Sequence, residues 1–491
     1  MKGWMRVWGA AGLLLAASLS AHAARTDLVL GVTLEPPHLD PTAGAAAAID
    51  EIVYGNVFQG LTAIGSRGEV LPALAESWDV SADGKTYTFK LRSGVRFHDG
   101  SGFDAQDVKF SLDRARAADS VNAQKGLFAA IATVEAVDPL TVKITLSTPQ
   151  GAFPYNLGWG DAVIVAPETA ATNRERPVGT GPYRFERWAR GSSLTLVRAD
   201  TYWGTPAALE RAEFRFVPDA AAAVPALLSG DVQAFPFFPP DSASQIEGDP
   251  RFTVEVGSTE GETILAINNA RPPFDDIRVR QAIAHAIDRQ ALIDGASAGF
   301  GVPIGSHFAP HNPAYVDLTG TYPHDVEKAR ALLREAGHER IQATLKLPPT
   351  PYARLGGEII ASELREIGIE LESVPVEWAD WLSGVFTNRD YDLTIVSHTE
   401  PNDIDIYARK DYYFGYSNPA FDAVIAKLNA TSDETERTSL LREAQTILAK
   451  DAVVGFLFEL PKVGVWDAKL EGFWQNAPIQ ATDLSAVRWK E

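Results

Sequence analysis

Cysteine is missing from all 491 residues of this chain. No disulfide framework can brace the fold, and a lipid-modified amino-terminal cysteine is excluded. Methionine is nearly as scarce: its two copies, Met1 and Met5, sit at the very start, so the remainder offers neither thiol nor thioether to a soft metal ion. Positive charge is also in deficit. There are 64 acidic against 44 basic side chains, a formal net charge of −20, and no local basic run offsets it. Such a surface repels nucleic acid and anionic lipid. Beyond the amino terminus, no apolar stretch reaches the length of a transmembrane helix.

What is present begins with an export signal. Lys2 and Arg6 precede an apolar segment from Gly9 to Leu19, too short to anchor in a bilayer, and Ala21-His22-Ala23 has the small-x-small pattern at which signal peptidase cuts. A signal peptide over residues 1–23 is expected, with the mature chain beginning near Ala24; the other reading of the segment is a buried amphipathic helix. About 470 residues then remain, enough for two lobes with separate cores.

Residues 74–114 carry the densest local information. Tyr87, Phe89 and Leu91 alternate with Thr88, Lys90 and Arg92, the period of a strand with one buried face, and Asp83-Gly84 marks a tight turn just before it. Asp104 stands where a helix N-cap should, Asp107 follows three residues on, and Val108, Leu112 and Ala115 form an apolar stripe at helical spacing. As a string, LAESWDVSADGKTYTFKLRSGVRFHDGSGFDAQDVKFSLDR closely resembles the signature of the extracytoplasmic solute-binding proteins of the peptide and nickel type, which feed ABC importers.

Further blocks follow in family order. Gly179 to Gly204 predicts a strand pair turning at Arg190-Gly191, and Ala220 to Ser229 a short helix closed by Gly230. Ile264 to Asn268 reads as a strand, followed by a Pro-Pro turn and a helix with Val279, Ile283, Ala286 and Ile287 on one face. Stripes ending at Gly337 and Gly368, strands at 370–376 and 391–396, and Asn418-Pro419 opening another helix imply an α/β lobe from about 265 to 465. The Ala-rich 43–48 reads as a loop leading into a helix.

The resemblance covers essentially the whole mature chain. It implies an α/β, two-lobe periplasmic-binding-protein fold of type II that bends at a hinge of two crossing segments: lobe I over 24–265 with an extra subdomain at about 50–175, lobe II over 266–465, and a return to lobe I over 466–491. It also implies a function, the capture of a short peptide or peptide-like amino compound for delivery to an inner-membrane permease and its ATPase subunits. The expected location is the periplasm, with no cofactor, no metal and no catalysis. An oligosaccharide or an opine is the alternative ligand on the same fold.

Ligand residues come from the dipeptide-binding branch, which the chain both resembles and departs from. The branch clamps the ligand carboxylate with an arginine at the start of a lobe II helix, and the ungapped count back from Ile367-Gly368 puts Arg354 there; a guanidinium fork suits a carboxylate. The branch takes the α-ammonium on an aspartate after Gly-Trp. Here the stretch is Ser397-His398-Thr399-Glu400-Pro401-Asn402-Asp403, with His398 in the tryptophan's place and Pro401 in the aspartate's. Glu400 and Asp403 flank that slot as candidate acidic partners, or as solvated loop charges. Glu262 and Thr263, ahead of the Ile264 strand, are candidates to line the cleft, and Trp378, Trp381, Tyr412, Tyr413 and Phe414 to stack on ligand or simply to fill the core.

One rival belongs to another class. Gly295-Ala296-Ser297-Ala298-Gly299 matches the nucleophile elbow of an exported serine hydrolase, but the elbow needs a strand before the serine, and a helix ending near Asp294 is expected there instead. His307 and His311 have the spacing of a zinc pair, yet Pro310 between them breaks the helix that would align the rings. Gly299-Phe300-Gly301 lacks the strand-helix setting of a dinucleotide site.

Overall fold

The computed structural model describes residues 25–44, 46–399 and 403–490. The expected signal peptide and Glu400 lie outside them.

The α/β architecture is two-lobed. A mixed sheet runs through the molecule, and two long strands, Phe252–Ile267 and Val454–Asp467, belong to both lobes. The first halves of their pairing, Phe252 opposite Asp467 through Ser258 opposite Pro461, lie beside Asp27–Val32 and its neighbours. Pairing resumes at Glu262 opposite Glu459, shifts by one residue after Thr263 opposite Phe458, and continues from Ile264 opposite Phe456 to Ala266 opposite Val454, now beside Leu393–His398. Between the two stretches Thr259, Glu260 and Gly261 face Leu460 alone, a bulge that interrupts the ladder and lets it bend. The first crossing strand thus begins at Phe252, not at Ile264, and Glu262 and Thr263 lie within it rather than ahead of it. Phe252, Val254 and Val256 do alternate with Thr253 and Glu255, but the alternation stops at Gly257, and the strand's path across the lobes is set by a partner some two hundred positions away.

Each lobe has its own core. In the first, Leu28, Leu30 and Val32 pack with Phe58, Tyr183, Phe214 and, from the carboxyl-terminal segment, Trp466, Leu484 and Val487. In the second, the shared sheet is sandwiched between a cluster around Ile283, Leu292, Ile360 and Leu364 and another around Tyr391, Tyr413, Phe421 and Leu448. Three of its strands, Ile341–Leu347, Ile369–Pro375 and Leu393–His398, run parallel.

A four-stranded antiparallel sheet, with its own apolar core, is appended to the first lobe. Tyr87, Phe89 and Leu91 point into that core as their alternation predicts. The helix Ala105–Arg116 closes it with Val108, Leu112 and Ala115 buried. Its start is a complete capping box: Asp104 accepts from the backbone at the first turn while Asp107 accepts from the Asp104 N–H. Gly230 ends the helix Ala220–Ser229 at φ 78°, the left-handed conformation that a β-carbon penalises.

This appended sheet also touches the second lobe. A β-carbon on Gly151 would lie 2.0 Å from the Thr431 carbonyl oxygen and 2.1 Å from Arg437 Nη1, so only glycine allows the approach. A cavity of about 650 Å³ opens beside this contact, with Trp78 and Tyr87 on one wall and His311, Glu434 and Leu441 on the other.

Candidate functional site

Strand direction places the site. In the second lobe the three parallel strands end at Leu347, Pro375 and His398, on the side where His398 pairs with Glu262 at the lobe crossing. In the first lobe Asp27–Val32 and Arg211–Phe216 run parallel, and Ala234–Phe235 beside them is antiparallel to the second crossing strand. Their carboxyl ends therefore aim back at the second lobe. Both lobes present the carboxyl edges of parallel strands to one crevice, the position where open α/β sheets receive ligands.

Four of the expected residues converge at the crossing. Glu262 and Thr263 stand opposite His398 and Ser397, and Asp403 comes in from the following loop. His307 joins them. Its Nδ1 is 2.7 Å from Glu262 Oε1 and its Nε2 is 3.0 Å from Asp403 Oδ1. Glu262 Oε1, His307 Nδ1 and Asp403 Oδ1 all lack a hydrogen bond of good geometry, so both contacts are chiefly electrostatic. Burial alone would make the imidazole a poor base, but Glu262 and Asp403 outweigh it and raise its pKa to about 10. Burial raises Glu262 to about 7 even though His307 pulls it back. Glu459, directly across the ladder from Glu262, is buried with both carboxylate oxygens unpartnered, and its pKa is driven well up by burial and by Glu262 and Glu260. The imidazole sits between the carboxylates, each ring nitrogen facing a different one, and among the described residues no group of three or more His, Asp or Glu is placed to hold a metal.

His311 grips the bulge itself. Its Nε2 is 2.7 Å from Glu260 Oε1 and its Nδ1 2.7 Å from Ser258 Oγ, while the Ser258 N–H donates to Asn476 Oδ1 of the carboxyl-terminal segment. The two histidines thus face different partners. Each holds one carboxylate of the crossing strand, from a loop without helix, as Pro310 requires.

Arg354 lies in the first turn of the helix Pro351–Glu366, at the same edge. Its Nε donates to the Pro348 carbonyl and its Nη2 to the Val376 carbonyl, with Glu377 at 3.9 Å, and about a third of its side chain is exposed. Tyr352, two residues before it, accepts from the Ser397 N–H at 3.2 Å, which ties this helix start to the 397–403 loop. His398 is buried, its Nε2 2.9 Å from the Tyr413 hydroxyl and its ring stacked on Tyr413. From there a ladder of rings, Tyr413 to Phe386 to Trp381 to Trp378, reaches the surface, where Trp378 is 40% exposed.

Ser297 caps the carboxyl end of the helix Arg289–Ala296, with no strand before it. The elbow's strand-turn-helix setting is not met.

Sequence reasoning missed Glu459 and Glu260, and met His307 only as half of a supposed metal pair. The one available signal was that a histidine in a Gly- and Pro-rich loop has no helix to belong to and must find its partners elsewhere.

Known proteins bear on this geometry. The model of bacterial extracellular solute-binding proteins, family 5 Middle, matches residues 69–403. The glutathione-binding protein GsiB of Pectobacterium atrosepticum is 32% identical, with 95% of each chain covered. The dipeptide-binding protein of Escherichia coli K12 is 30% identical over 78% of this chain and 80% of its own. Among solved structures, HbpA2 from Haemophilus parasuis matches with a TM-score of 0.87 at 25% identity, covering 95% of this chain and 100% of that one. DppA from Helicobacter pylori in complex with the peptide STSA matches with a TM-score of 0.73 at 25% identity, covering 95% and 99%. With the family model spanning well over half of its length, the chain belongs to the bacterial extracellular solute-binding proteins, family 5.

Proposed function

We propose that the protein is the periplasmic substrate-binding component of an ABC importer, capturing a short peptide or peptide-like amino compound between its lobes and handing it to the permease and its ATPase subunits. The observation that carries this is the interrupted ladder: two strands continuous between lobes, with a bulge at Thr259–Gly261 opposite Leu460 and a second, one-residue shift after Thr263, form a joint about which the carboxyl edges of both sheets can close. We place the hinge at that bulge, dividing the first lobe, with its subdomain at about 50–175, from a second lobe that runs to about 465 before the chain returns. The relatives named for glutathione and dipeptides, and the neighbour holding the peptide STSA, support the ligand class.

Within the crevice, Arg354 takes the ligand carboxylate and Glu400 or Asp403 the ammonium, each pair strengthened as closure excludes water. His307 already faces Asp403, so an ammonium there competes with the imidazole. The test is calorimetry with dipeptides on the mature protein and on Arg354→Ala. A charged hydrogen bond lost from a closed site is worth about 1.5–3 kcal/mol, a drop in affinity of about 10- to 100-fold. Unchanged affinity would remove the carboxylate clamp.

A further inference from the structure

Among the described residues few large apolar side chains are exposed, and five of them lie in the segments that follow the strand ends facing the crevice. Leu355, beside Arg354, is 52% exposed, and Trp378, Leu382 and Phe386 are 40, 51 and 39% exposed in the segment that follows the strand Ile369–Pro375. Across the crevice Leu34, two residues past the end of Asp27–Val32, is 61% exposed. Both groups come just after the carboxyl ends of parallel strands that aim at the opposite lobe. Each lobe has a complete core without them, so their exposed faces are left over from folding.

The second-lobe patch is not loosely held. Trp378 meets Trp381 edge-on at 5.6 Å, Trp381 lies 6.2 Å from Phe386, and Phe386 packs against Tyr412 and Tyr413 at 5.5 Å. Trp381 is fixed in turn by its indole N–H, which donates to Thr394 Oγ1 at 3.0 Å. A rigid, preorganised aromatic surface loses little freedom when something binds to it, which is what makes such surfaces good anchors. The inner end of the same ladder is Tyr413 against His398, at the loop proposed to receive the ligand's ammonium.

Resting on the ligand-capture function proposed above, we infer that Leu34 and the Leu355–Trp378–Leu382–Phe386 surface form an apolar jaw. On closure it grips one bulky aliphatic or aromatic side chain of the ligand, so the preferred substrates are peptides that carry such a residue rather than ones built of glycine or acidic residues. Charge at the ligand's ends sets its orientation, and the jaw sets selectivity. A side chain is needed to fill the gap, because closing two exposed apolar faces over a glycine would leave them without partner atoms.

The probes are triglycine and the three tripeptides Phe-Gly-Gly, Gly-Phe-Gly and Gly-Gly-Phe, titrated calorimetrically into the mature protein. Burying a phenyl side chain should make at least one of the three bind about 10- to 100-fold more tightly than triglycine. Trp378→Ala and Leu34→Ser should each weaken the tightest phenylalanine peptide more than triglycine, bringing the ratio of the two affinities to within about threefold. Equal affinity for all four peptides would overturn the jaw and leave the peptide-binding function standing. Binding of none of the four, including at millimolar concentration, would overturn both. If Trp378→Ala kept the preference but impaired uptake in cells, the surface would belong to the permease contact instead, and the jaw would be refuted.

Discussion

His307→Gln takes away the ring lying between Glu262 and Asp403 and leaves an uncharged amide in its place. The imidazole and Glu262 are both almost completely buried, so neither charge has water to fall back on. Stranding one member of such a pair costs about 3–5 kcal/mol, a large share of the 5–15 kcal/mol that holds an ordinary domain together. The pH dependence follows from the direction of the shifts. An unfolded histidine titrates near 6.5, whereas folded His307 keeps its proton up to about 10, so its contribution is complete below about pH 6.5 and fades as the pH rises through about 10. Glu262 also binds its proton more tightly in the folded state, so its effect has the same sign, stability falling as pH rises from about 4.5 toward 7. Wild-type stability should therefore decline between neutral and mildly alkaline pH, and the variant should lose the upper part of that slope. The two lobes have separate cores and need not unfold together, so the quantity to follow is urea-dependent hydrogen exchange of the second-lobe strands Ile341–Leu347 and Leu393–His398. Glu262→Gln combined with His307→Gln should recover at least half of the loss, since no buried carboxylate then remains at position 262. A single variant within about 0.5 kcal/mol of wild type at neutral pH, or a wild type whose stability is level from about pH 6.5 to 9, would refute a buried charged pair.

Two further outcomes follow from local geometry. Asp104→Ala should cost about 1 kcal/mol in the appended sheet and helix alone, because one half of the capping box is lost; urea midpoints read from second-lobe probes should not move. Gly151→Val places a branched side chain where the Thr431 carbonyl and Arg437 now sit, so the appended sheet must part from the second lobe. Small-angle scattering of the ligand-free variant should show a larger radius of gyration, and an unchanged profile would mean that this contact does not hold the lobes.

The local half of the fold was legible in the sequence. Asp104 with Asp107, Gly230, Gly337, Gly368 and Asn418 each act within a few residues of themselves, and each caps or closes its helix where the pattern places it. The long-range half was not. The alternation of Phe252, Val254 and Val256 with Thr253 and Glu255 could have placed the strand start, but nothing in it says that these residues pair with the chain's last long strand. The crossing cluster suffered in the same way. Glu262, His307, Asp403 and Glu459 come from four separate segments, and a carboxylate destined for burial is spelled like one destined for solvent. Arg354 shows the converse: its position at a helix start was readable, but not its two bonds to backbone carbonyls, which give it a structural task besides any ligand it meets.

The two lobes are joined by a flaw in a hydrogen-bond ladder, not by a pair of tethers. Loose tethers would leave the halves free to drift and twist, and a captured molecule would have to suppress all of that wandering. With both links anchored in sheet on either side of Thr259–Gly261, a hinge placed there would favour a swing over drift or twist. Little order then remains to be imposed when a guest arrives, so even a small molecule with few contacts can tip the balance and present one well-defined shape to the machinery waiting at the membrane.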